Sequence, residues 1–69
     1  MTGYIREKDK NYDLVSVLYH ALSGADSCRT YLEDAKKAGD VELADFFLGA
    51  MEQYEAVAQK AKDLCKPRL

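Results

Sequence analysis

Two unbroken stripes of apolar residues, spaced alternately three and four apart, confine this chain to helices. The first runs Leu14, Leu18, Ala21, Ala25, Cys28, Leu32 and Ala35; the second runs Ala44, Phe47, Met51, Tyr54, Ala58, Ala61 and Cys65. That spacing keeps side chains on one side of an α-helix, whereas a strand repeats every two residues. Ala38-Gly39-Asp40 separates the stripes. Gly39 suits the left-handed position that ends a helix, Asp40 suits the cap of the next, and Lys36 and Lys37 complement the negative end of the first helix dipole. Asn11 is the expected N-cap of the first helix, with Asp13 in its first turn. Pro67, lacking an N–H, closes the second helix behind Lys60, Lys62 and Lys66. These signals predict helices over about 12–38 and 40–66, in one domain over 11–69 behind a flexible arm at 1–10.

Each helix is about 27 residues, or roughly 40 Å at 1.5 Å per residue. Equal lengths and a three-residue turn predict an antiparallel helical hairpin. A turn centred near Gly39 pairs residues whose numbers sum to about 79, which matches Leu32 with Phe47, Ala25 with Tyr54 and Ala21 with Ala58. Large residues then mostly meet small ones, as interdigitated packing requires. Ser23-Gly24 interrupts the first helix, where Gly costs about 1 kcal/mol relative to Ala. Close approach of a neighbouring backbone or of Tyr54 is one explanation, and a kink with Ser23 capping a second segment is the other.

The apolar arcs are too wide for a hairpin alone. Flanking residues extend the second helix's arc to about 160°, and the first helix is widened by Val15 and Leu22 on one side and by Val17 and Tyr31 on the other. Val15, Leu22, Phe46, Val57 and Leu64 therefore lack a partner within the hairpin and form the expected dimer interface. Ordering a residue costs about 1.5 kcal/mol, which chains this short rarely recover from a single core. A homodimer forming a four-helix bundle supplies the rest. Tyr12 and Tyr19 lie one heptad apart beside Val15 and Leu22, as the polar-tipped rim of an interface.

Several function classes are excluded. Ten basic against twelve acidic residues give a net charge of −2, without the clustered basic excess of nucleic-acid binders. The longest uncharged run, Leu14 to Ala25, is twelve residues, short of the ~20 that span a membrane. With no signal-peptide core in MTGYIREKDKN, the expected location is cytoplasmic. Cys28 and Cys65 form no metal-binding spacing, and the register holds them roughly 21 Å apart along the axis, so both are expected to remain free thiols. Neither a phosphate-cradling loop nor a nucleophile elbow is present, and the heptad positions carry no Glu, Asp or His. The expectation is no catalytic residue and no cofactor. The one metal alternative combines His20, the sole histidine, with Glu52 and Glu55, which otherwise belong to a solvated face.

YLEDAKKAGDVELADFF at 31–47, together with NYDLVSVLYHAL at 11–22, resembles small ferritin-like proteins of largely unknown function. The resemblance spans about residues 11–66 and implies a half-ferritin, one hairpin where full ferritins have two. Their Glu-x-x-His metal motif has no counterpart here, so no ligands carry over. The architecture is also similar to Rop-type hairpin dimers, whose RNA binding does not transfer because Lys and Arg form no stripe. The expected function is non-enzymatic protein interaction or scaffolding as a homodimer or higher even oligomer, open to an unidentified protein partner and possessing no nucleic-acid or membrane partner. A metal-binding half-ferritin with oxidoreductase-like or storage activity is the alternative.

Overall fold

The computed structural model describes residues 9–69. Two helices, α1 (Lys10–Lys37) and α2 (Val41–Cys65), pack against each other as a hairpin, and no strand occurs among the described residues. Of the expected arm, residues 1–8 lie outside the described region, whereas Asp9 caps α1 and Lys10 is its first residue. Asp9, not Asn11, is the N-cap: its carboxylate accepts the Tyr12 N–H at 2.9 Å. A carboxylate caps as well as an amide and adds charge at the positive end of the dipole, so the helix starts two residues early.

The turn is built from backbone hydrogen bonds. Gly39 adopts φ 72°, where a side chain would be strained, and its N–H donates to the Lys36 carbonyl at 3.1 Å. The Asp40 N–H donates to the Ala35 carbonyl at 3.0 Å, completing the paired bonds of a Schellman ending. The Asp40 carboxylate then accepts the Leu43 N–H at 3.1 Å and caps α2. One residue thus ends the first helix and begins the second. Beyond Cys65, the Arg68 and Leu69 N–H groups both donate to the Cys65 carbonyl, and the Arg68 guanidinium reaches the Leu64 carbonyl at 2.8 Å.

Every buried residue among those described belongs to one of the two stripes: Ala21, Ala25, Cys28 and Ala35 on α1, and Ala44, Ala58, Ala61 and Cys65 on α2. The larger stripe members Leu14, Leu18, Leu32, Phe47 and Met51 are only half-buried. A seam of alanines and cysteines lets the helices approach closely, but it hides no large side chain. Cys28 and Cys65 are both free.

Two contacts fix the register. The Tyr31 and Phe47 rings lie 5.5 Å apart, and a Cβ added to Gly24 would come within 2.9 Å of the Tyr54 ring. Both pairs agree within one residue with the pairing read from the turn. Tyr54 therefore lies across Gly24, and α1 continues as α-helix through Ser23-Gly24. This packing predicts non-additivity. Gly24→Ala should gain about 1 kcal/mol of helix propensity, but only when the ring is gone. Urea unfolding is expected to show little or no gain from Gly24→Ala alone and the full gain in a Tyr54→Ala background. Equal gains in both backgrounds would contradict the contact.

Candidate functional site

Antiparallel pairing reverses the sense of rotation between the helices, and this decides which flanks share a side of the hairpin. On α1, Val17, Gly24 and Tyr31 recur every seven residues beside the seam. On α2, Leu43, Ala50, Val57 and Leu64 do the same, and Phe46 lies within about 20° of the line through Val57 and Leu64. These flanks turn to one side, the broad face. Leu14, Val17, Val57 and Leu64 line one groove there, and Val17, Gly24, Tyr54 and Val57 line the next. Tyr31, Leu43 and Phe47 line a third near the loop.

The face is apolar and open. Phe46 is 66% exposed and Val57 46%, and Val17, Tyr31 and Leu43 are exposed as well. Phe46 and Phe47 meet edge to face at 5.7 Å, and Phe47 meets Tyr31, so three rings crowd the loop end. At the other end the groove bounded by Leu14, Val17, Val57 and Leu64 carries Lys60 as its one charged lining residue.

The five expected interface residues are all exposed, but the hairpin does not bring them together. Phe46, Val57 and Leu64 stand on the broad face. Val15 and Leu22 point about 160° and 140° around α1 from Val17, toward the opposite side. The Arg29–Glu55 ion pair, at 3.4 Å, crosses that opposite side. Tyr12 and Tyr19 project farther around α1 from the seam, away from the broad face. Val17, rather than Val15 or Leu22, is the neighbour of Val57, and Tyr31 and Leu43 line the same side nearer the loop. The signal was in the sequence: opposite rotation senses pair the flank holding Val17 with the flank holding Val57.

The three residues of the metal alternative are also separated. His20 lies at the rim of a broad-face groove, its ring 5.3 Å from that of Tyr19. The Glu55 carboxylate instead turns to Arg29, which also binds Asp26 at 2.8 Å. Glu52 stands a further 60° or so around α2. Among the described residues no three His, Cys, Asp or Glu side chains gather closely enough to hold a metal ion. The Arg29 pairs are half-exposed or more, which limits each to a fraction of about 1 kcal/mol. Chelator treatment is accordingly expected to leave the melting temperature unchanged. A fall of about ten degrees, which for a domain this small corresponds to roughly 1–2 kcal/mol, would reveal a stabilising metal.

No described helix is long and apolar enough to cross a membrane. Comparison with protein-family models, with characterised proteins and with solved structures finds no match to this chain.

Proposed function

We propose that this protein is a cytoplasmic homodimer, a four-helix bundle of two hairpins, and that it acts non-enzymatically in protein interaction or scaffolding. The observation carrying this reading is the contrast between seam and broad face. Alanines and cysteines are buried, while Val17, Tyr31, Leu43, Phe46 and Val57 remain exposed along one side. A contiguous apolar surface of that extent is uncommon on soluble monomers. A two-fold pairing covers it with its own copy, the commonest arrangement among soluble oligomers. The outer side, carrying Val15, Leu22, Tyr12 and Tyr19, stays accessible in such a dimer and is where another protein would be held.

Light scattering on the eluting protein tests the assembly. The expected mass is twice the 7.8 kDa of the chain. A helical species eluting at the mass of one chain would overturn the reading.

A further inference from the structure

We propose that the second copy lies on the broad face with its loop at the opposite end, each Phe46 filling the partner's groove between Leu14, Val17, Val57 and Leu64. This rests on the homodimer reading and adds which side is covered and in which direction. Two packed helices about 20 Å wide and about 37 Å long present roughly 750 Å², close to the ~800 Å² per partner of a stable interface. The groove is open to solvent along one side and has a volume of about 350 Å³, more than the roughly 150 Å³ that a benzene ring needs. Phe46 is the most exposed aromatic on α2.

Position along the axis matches the two. Gln53 is the midpoint of α2. Phe46 precedes it by seven residues, and the stretch from Val57 to Leu64 centres about seven residues beyond it. Turning one hairpin end for end about an axis through this midpoint sets Phe46 over the groove twice. Pairing with both loops at the same end does the reverse. It stacks Phe46 against the partner's Tyr31 and Phe47 and leaves the two grooves facing each other. Interdigitated packing favours ring in groove over ring on ring.

The test places a spin label at Lys37→Cys, an exposed site beside the loop, in the full chain. Cys28 and Cys65 are buried, and unsubstituted chain treated with the same reagent controls for their labelling. Opposed loops predict an interchain distance of about 40 Å or more by pulsed dipolar spectroscopy. A distance under about 25 Å would overturn the orientation while leaving the dimer intact. Full helicity without interchain coupling would overturn both. Independently, Phe46→Ala should raise the dimer Kd at least about thirty-fold, as loss of an interface anchor does. Leu22→Ala, on the opposite side, should change it by less than about threefold, and equal effects from the two would contradict the proposal.

Discussion

Val57→Asp is expected to leave the chain unfolded at micromolar concentration, with no folded monomer surviving. The size of the effect is informative because Val57 is 46% exposed within one hairpin. In an isolated hairpin, an aspartate there remains in contact with solvent and alters stability by about 1 kcal/mol. In the dimer, two-fold symmetry buries two such charges in one apolar interface, each costing several kcal/mol unless paired. Lys60 lines the same groove, but its ammonium on a flexible stem at the rim reaches solvent. Far-ultraviolet circular dichroism during thermal unfolding reads the outcome. Leu22→Asp, on the side left open, is expected to shift stability by less than about 1 kcal/mol. A well-folded Val57→Asp chain would mean that nothing covers the broad face.

Ala58→Leu is expected to lower stability by about 1–3 kcal/mol through the other interface, the seam between α1 and α2. Ala58 is 3% exposed, and its neighbours in the seam are alanines of similar burial. Three added carbons have no void to enter, so the helix axes must separate or the leucine must leave its rotamer. Separation also lifts Tyr54 from Gly24 and disturbs the flanks that shape the broad face. For a domain of this size, 1 kcal/mol corresponds to roughly 4–8 °C in melting temperature, so a fall of about 10 °C is the central expectation. An unchanged melting temperature would show that the seam is looser than its burial indicates.

The seam was legible in the sequence because helix periodicity is a one-dimensional signal. The eight buried residues among those described lie on the two stripes, and Gly39 ends α1 as its backbone freedom indicates. Tyr54 is the exception among stripe members: its ring is too large for an alanine seam, so it lies across Gly24 and stays 42% exposed. The early start of α1, capped by Asp9, was hidden by the mixed charges around it. A cap is chosen by local backbone geometry, and two acceptors so close together compete for that role. The broad face was only half legible. Each helix's arc can be drawn from its own residues, but which flanks coincide depends on how antiparallel partners rotate. That relation separates Val15 and Leu22 from Val57 and brings in Val17, Tyr31 and Leu43. A metal site required side chains from both helices on one side, and Glu55 turns toward Arg29 while His20 lies at the broad-face rim.

If a second copy covers the broad face, folding and association are one event. Sedimentation equilibrium across the micromolar range, with circular dichroism on the same samples, tests this most directly. The expected species has twice the 7.8 kDa chain mass, with helicity lost as dilution dissociates it and a melting midpoint that rises with concentration. A fully helical species at the mass of a single chain, persisting at low micromolar concentration, would contradict it.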